Sequence, residues 1–301
     1  MSNLQASQLF SVKGAVVVVT GAGSGLGRTM ALALDANGAS KVFIVGRRED
    51  KLQETAFLAV NNSIIPIKGD VSSKESLQAA YEAIASQTGH INLLIANSGV
   101  MGPEIKPPAA KEDGSLPSLT EIRDKLWSVP MEEFSRIFDI NVTGAYYTVL
   151  AFLPLLEAAN KQRPAPEMNK LSAPTAQVVI TSSIAGHIRQ VPFSYAYSLS
   201  KSATTHLVKM LSTTLSSYDI RVNGIAPGLY FSEMSAESFS GGNRGVSDGS
   251  FPRERIPLTR GGSDEDIAGL ILWLASASGG YMNGSIVVTD GGRTAVHPAV
   301  Y

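Results

Sequence analysis

Tyr197 and Lys201 stand four residues apart, with Ser183 a short segment upstream. On a helix, a spacing of four places two side chains on one face, one turn apart. A phenol beside a lysine ammonium ionises below its reference pKa of about 10. Such a phenol can hand a proton to a forming alkoxide or take one from an alcohol. Ser183 follows the apolar run Val178-Val179-Ile180, which reads as a buried strand. Its hydroxyl then stands at a strand end, where it can hydrogen-bond a substrate oxygen. A lone Y-x-x-x-K arises often by chance, so the case rests on what the rest of the chain supplies.

A second chemistry-bearing stretch is Thr20-Gly21-Ala22-Gly23-Ser24-Gly25-Leu26-Gly27, after the run Ala15-Val16-Val17-Val18-Val19. A glycine-rich turn between a strand and a helix lets backbone amides approach a pyrophosphate, and the helix N-terminus favours negative charge. The useful glycines are Gly21, Gly25 and Gly27, spaced G-x-x-x-G-x-G rather than G-x-G-x-x-G. A P-loop is excluded, because Leu26 occupies its second glycine position and Arg28 stands where a lysine would be sought.

The elements needed to hold these stretches alternate regularly. Strands are expected at Ala15 to Val19, Lys41 to Val45, Ile64 to Lys68, Ile91 to Ala96, Gln177 to Thr181, Ile220 to Ile225 and Ser285 to Asp290. Helices are expected at Leu26 to Ala36, Glu49 to Val60, Ser73 to Ser86, Met131 to Asn160, Ala196 to Ser217 and Ser263 to Ala275. Strand and helix in alternation imply right-handed crossovers and a doubly wound sheet. Asn141-Val142-Thr143-Gly144 are poor helix formers in the middle of one expected helix. The proline-bearing region 101–130 reads as a surface insertion with a short helix around Leu119 to Trp127, either a flap over a site or a passive loop. Residues 161–176 form a second such loop, 229–262 read as a mobile lid, and the tail from Gly291 is expected to wander on the surface.

The second strand ends Val45-Gly46-Arg47-Arg48. An acidic residue there would select NAD by its ribose hydroxyls, and none is present. Arg47 or Arg48 can pair with a 2′-phosphate, which favours NADP(H) over NAD(H). Asp70, in Gly69-Asp70-Val71, is placed to receive an adenine amino group.

Composition narrows the class. The 301 residues are 44% hydrophobic and 17% charged, which is globular. The net charge of −1 argues against a nucleic-acid surface or a polybasic membrane patch. The chain has no cysteine, so disulfides, cysteine-ligated zinc and thiol chemistry are excluded. Met1 to Phe10 lacks a signal-peptide pattern, and the most apolar helical stretch, taken as Ile267 to Ala275, is too short to span a bilayer. A cytoplasmic protein without a membrane partner is the expectation. His187 and His206 lack ligand spacing and read as ordinary residues.

Together these pieces resemble the short-chain dehydrogenase/reductase family over roughly Gly14 to Arg293. Thr20 to Gly27 matches its T-G-x-x-x-G-x-G, and Asn97-Ser98-Gly99 its N-A-G with one departure. Asn141, Ser183, the Tyr197/Lys201 pair and Pro227-Gly228 match its remaining motifs. The serine-to-tyrosine spacing is one residue longer than in many relatives, which makes Ser182 a rival to Ser183.

The resemblance implies a single Rossmann-type α/β domain over 1–301. Its doubly wound, seven-stranded parallel sheet has the order 3-2-1-4-5-6-7, with helices on both faces. It implies a catalytic tetrad. Tyr197 is the general acid, Lys201 lowers its pKa and holds the nicotinamide ribose, Ser183 orients the carbonyl, and Asn141 supports a water that relays protons. It places the cofactor on Gly21, Ser24, Gly25, Leu26, Gly27, Arg47, Arg48, Asp70 and Val71. Asn97, Ser98, Gly99, Tyr197, Lys201, Pro227 and Gly228 complete that set. The expected activity is reduction of a ketone or oxidation of a secondary alcohol, on a 3-oxoacyl or secondary-metabolite ketone. The substrate should be hydrophobic, judged from Phe231, Met234 and Phe239 in the lid. Ile184, His187, Ile188 and 191–195 should line its pocket. Relatives pair through the two long helices, so a homodimer or homotetramer is implied.

Two rival readings stand beside this one. Ser198-x-x-Lys201 matches the S-x-x-K of penicillin-binding acyl-transfer enzymes but lacks their S-D-N and K-T-G. A non-catalytic NADP(H)-binding sensor would share the fold, although degenerate relatives usually lose the tyrosine or lysine.

Overall fold

A computed structural model describes residues 4–169, 171–236, 239 and 244–300. Parts of the expected lid (237–238 and 240–243) and Tyr301 lie outside the described residues.

Seven strands form one parallel sheet in the order β3-β2-β1-β4-β5-β6-β7. They are β1 Val16–Thr20, β2 Lys41–Gly46, β3 Ile64–Lys68, β4 Leu93–Ala96, β5 Gln177–Thr181, β6 Arg221–Pro227 and β7 Ile286–Thr289. β-Branched residues dominate the central strands, and β1 and β5 are buried along their whole length. Alternate side chains point to opposite faces, so each strand feeds two cores. On one face Val18, Phe43 and Leu94 pack against Ile84, Phe152 and Val208. These come from α4 (Lys74–Ala85), α7 (Gly144–Lys161) and α8 (Tyr195–Leu215). On the other face Val17, Val19 and Ile44 pack against Met30, Leu52 and Ile271. These come from α2 (Gly25–Ala36), α3 (Glu49–Phe57) and α9 (Asp264–Ala275). The doubly wound sheet and its strand order are therefore as the sequence predicts.

α1 (Ala6–Leu9) is a single exposed turn. α5 (Leu119–Trp127) falls where the insertion was expected to turn helical, closed at its start by a Ser118/Glu121 capping box. Most of 101–130 is exposed, and only Met101 and Gly102 reach the cavity described below.

α3 stops at Phe57, three residues before the expected end at Val60. The cause is Asp35, whose carboxylate accepts from the N–H groups of Val60 (2.8 Å), Asn61 (3.1 Å) and Ser63 (3.0 Å). Those bonds draw the chain off the helix axis and into β3.

The stretch Met131–Lys161 is not broken at its poor helix formers. α6 (Met131–Phe138) runs through a π-helical turn, Asp139–Thr143, into α7. The joined rod of 31 residues is long and apolar enough to cross a membrane, a length that the shorter Ile267–Ala275 stretch does not reach. Val149, Phe152 and Leu156 face the sheet core, so the rod's apolar character is accounted for by packing.

The tail does not wander. After the 3₁₀ turn Arg293–Ala295 it folds back along the loop after β5. The Arg189 N–H donates to the Pro298 carbonyl and the Val300 N–H to the His187 carbonyl, each at 2.7 Å. An antiparallel bridge joins Ile188 to Ala299. The apolar pair Ala299-Val300 at its end suits an edge pairing that turn-like Gly291-Gly292 had obscured.

Candidate active site

A cavity of about 650 Å³ opens beyond the carboxyl ends of β1, β4, β5 and β6, the crevice where doubly wound sheets take their ligands. It gathers every site residue expected from the sequence except Gly27 and Asn141, which stand just behind its wall.

The glycine turn forms one end. Gly21 (φ +69°) and Gly25 (φ +54°) occupy left-handed backbone that side chains disfavour. A Cβ on Gly21 would also lie 2.9 Å from the Ser98 Cα. Gly27 does not line the cavity, but a Cβ there would collide with the Gly21 carbonyl and the Asn97 amide. It permits the close approach of α2 to the strand ends. Asn97 ties that corner together, donating to the carbonyls of Thr20 (3.1 Å) and Gly21 (3.3 Å) and accepting from the Thr181 hydroxyl (3.1 Å). The free N–H groups at the start of α2 and this close-set backbone suit a pyrophosphate.

At the ends of β2 and β3 the wall is charged. Arg48 donates to the Ser24 hydroxyl (3.1 Å) and to the Glu233 carboxylate of the lid (2.8 Å). That bond holds the Glu233 carboxyl below its ordinary pKa. Arg47 makes no hydrogen bond or ion pair among the described residues, but its field reaches Asp70. Burial alone would raise the Asp70 pKa; the Ser72 hydroxyl and N–H, with Arg47, hold it below the ordinary value.

The other end holds the acid–base residues. Ser194 caps α8 by accepting from the Tyr197 N–H at 3.1 Å, which fixes Tyr197 in the first turn. Tyr197 is 8% exposed and its ring meets Phe193 edge-on at 6.2 Å. Lys201, one turn on and 4% exposed, points its Nζ at the Thr181 carbonyl (2.9 Å), with the Tyr197 ring centre 5.9 Å away. Ser183 lies within hydrogen-bonding reach of the phenol.

The expected drop in the Tyr197 pKa is not found. Burial raises it, against a smaller downward pull from Ser183. Burial also lowers Lys201 to about 8. The two shifts share one cause, because both charged forms lose water in the same dry corner.

Ser182 is spent on structure. Its hydroxyl bonds the Lys201 carbonyl (2.9 Å) and the Thr205 hydroxyl (2.7 Å), which leaves Ser183 facing the phenol. Asn141 sits in the π turn and is buried. Its amide bonds the Val100 carbonyl (2.9 Å) and Ser200 (3.0 Å), and its side-chain oxygen takes the Val100 N–H (2.8 Å). Its backbone carbonyl accepts from Thr204 at 3.1 Å. It braces the strand-four loop against α8 beside Lys201. Ser198 does not line the cavity, so the acyl-transfer pattern is not assembled there.

The substrate wall differs from expectation in part. Ile184, Ile188, Pro192, Phe193 and Met234 line the cavity, whereas His187 does not. Phe231 and Phe239 meet edge-on at 5.3 Å, and Phe239 meets Phe251 edge-on at 5.7 Å. They pack the lid internally rather than the pocket. Sequence reasoning missed Met101, Gly102, Ile140 and Arg293 as lining residues. The signal for Arg293 was its place directly after the Gly291-Gly292 turn that ends the last strand.

Residues 15–242 match the family model described as short chain dehydrogenase. The chain is 43% identical to the short-chain dehydrogenase/reductase PhomF of Diaporthe leptostromiformis, over 99% of this chain and 98% of that one. It is 28% identical to the rhamnolipids biosynthesis 3-oxoacyl-[acyl-carrier-protein] reductase of Pseudomonas aeruginosa, over 94% and 97%. Among solved structures, the Pseudomonas aeruginosa RhlG/NADP active-site complex superposes with a TM-score of 0.75 at 29% identity, covering 94% of this chain and 98% of that one. The protein belongs to the short-chain dehydrogenase/reductase family of oxidoreductases.

Proposed function

We propose that this enzyme reduces a ketone with NADPH. The observation that carries the reading is the convergence of Tyr197, Ser183 and Lys201 on one cavity that runs on to the glycine turn. The bound nicotinamide supplies the hydride; the chain's residues bind, orient and move the proton. Ser183 holds the substrate carbonyl, and the Tyr197 hydroxyl protonates its oxygen as the alcohol forms. A raised phenol pKa suits this direction, because it keeps the acid form filled at neutral pH. Lys201, still cationic below about pH 8, holds the ribose and favours the phenolate left behind. Asn141 acts as a positioning residue for that corner through the bonds of its amide to Val100 and Ser200, beside Lys201.

Arg47 and Arg48 support NADP(H), with the NADP-bound Pseudomonas aeruginosa structure as a similar case. The apolar lining from Ile188, Phe193 and Met234 supports a ketone with an apolar body. The 3-oxoacyl reductase among the relatives supports the same reaction class.

The test is NADPH oxidation against a panel of ketones and 3-oxoacyl thioesters, followed optically. Turnover is expected with NADPH in preference to NADH. The pH profile of the reductive kcat/KM carries a second expectation. Lys201 is charged below about pH 8 and neutral above it. The rate should therefore be level near neutrality and fall about tenfold per unit once pH passes that value. A profile that rises through pH 8 would contradict the role given to Lys201.

The long helices also support self-association. Tyr146 and Leu150 on α7, with Leu199 and Met210 on α8, are exposed apolar side chains. A dimer or tetramer is the expected mass in light scattering at micromolar concentration, and a single-chain mass would remove the assignment.

A further inference from the structure

The folded-back tail begins with a cation in the cavity wall. Arg293 lines the same cavity as Ile188, which lies on the loop that the tail pairs with. Its Nε is buried without a partner among the described residues. A guanidinium carries five donors, and burying one without an acceptor costs more than leaving it in water.

Asp290, the nearby carboxylate, does not serve it. Asp290 accepts from the Gly292 N–H (2.9 Å) and the Thr294 N–H (2.7 Å), so its oxygens fix the turn. A second cation stands nearby: Arg255 lies close enough to act on Arg293. The Arg255 guanidinium rests over the Phe251 ring at 5.0 Å. Burial, followed by Arg255, pulls the Arg293 pKa down, with Asp290 opposing. The described residues give the Arg293 Nε no acceptor.

We propose that the ketone carries an anionic oxygen group, a carboxylate, and that Arg293 receives it. Arg293 is then a specificity-determining residue at the tail wall, opposite in chemistry to the apolar Phe193 and Met234. The planar fork matches a carboxylate in a bidentate pair, which fixes orientation as well as affinity. The proposal rests on the reductase reading for the identity of the carbonyl, but its test reads binding.

The experiment is a calorimetric titration of the NADP-loaded protein. The probes are levulinate and longer straight-chain keto acids, each beside its methyl ester. At least one acid should bind about tenfold or more tightly than its ester. Arg293→Gln should abolish that preference and leave ester binding and NADP affinity unchanged. Arg293→Lys, which keeps the charge without the fork, should restore part of it, a rescue that a purely structural arginine would not give. Arg293→Met serves if the glutamine variant melts below the wild type. Equal binding of acids and esters by the wild type overturns the proposal, and so does an acid preference that survives in either neutral variant. Acid-selective binding without NADPH turnover of any probe would leave Arg293 assigned and defeat the reductase reading instead.

Discussion

Tyr197→Phe should cut the turnover number for ketone reduction by about a thousandfold, within the range that one positioned proton donor contributes. The change removes one oxygen from a residue whose ring is already buried against Phe193, so packing is nearly kept. The α8 start is kept too, because its cap runs through the Tyr197 N–H and not its side chain. Ser183 and Lys201 remain in place to bind carbonyl and ribose. NADPH affinity should therefore stay within about threefold of wild type, a difference below 1 kcal/mol. Stopped-flow turnover and a fluorescence titration of NADPH separate the two quantities. Turnover within tenfold of wild type would remove Tyr197 from the chemistry. A wild type that binds NADPH tightly and reduces nothing, with the variant alike, would point to the sensor reading.

The second large effect is expected at the ends of β2 and α2. Arg48→Ser should weaken NADPH about tenfold to a hundredfold and leave NADH almost untouched, the cost of one charge-assisted hydrogen bond to phosphate. Adding Arg47→Ser should bring the two cofactors close to parity. Glu233 holds Arg48 now, but both partners are about half exposed, with 54% and 53% of their side chains accessible. Such a pair is worth at most about 1 kcal/mol, and a doubly charged phosphate displaces it readily. Dissociation constants for the two cofactors, taken at one fixed ionic strength, check this. Equal loss of NADPH and NADH binding would mean that Arg48 positions the turn and does not read the phosphate.

Much of this architecture was legible because it rests on local chemistry. The β-branched runs of β1 and β5 bury both faces, and such runs have few other uses in a chain of this composition. Ser73 and Ser263 marked helix starts that the structure keeps, each accepting from an N–H three residues on. The Tyr197/Lys201 pair was legible because helical spacing alone makes them neighbours. What the sequence hid was non-local. The end of α3 depends on Asp35 in another helix. The path of the tail depends on a pairing with Ile188 across a hundred or so residues of chain. The direction of the Tyr197 shift depends on how dry the corner becomes, and spacing carries no information about burial. Phe231 and Phe239 looked like pocket residues because side-chain type does not reveal which partner a ring will choose.

The π turn at Asp139–Thr143 is the one place in this stretch built to carry a residue more than a regular helix would. Each residue of an α-helix advances about 100° around its axis, so a surplus residue in regular helix would turn everything after it by that angle. The wide turn absorbs the surplus, and α6 and α7 keep the phase of one rod. Deleting one residue here would return the turn to regular helix and leave Phe152 and Leu156 facing the sheet; the loss would fall on Asn141 and its bonds to Val100 and Ser200. A deletion farther on, inside α7, would instead rotate the core-facing side chains by about 100°. Lineages descended from this chain should hold Asn141 and the buried Ile140, and should purge gaps in α7 first.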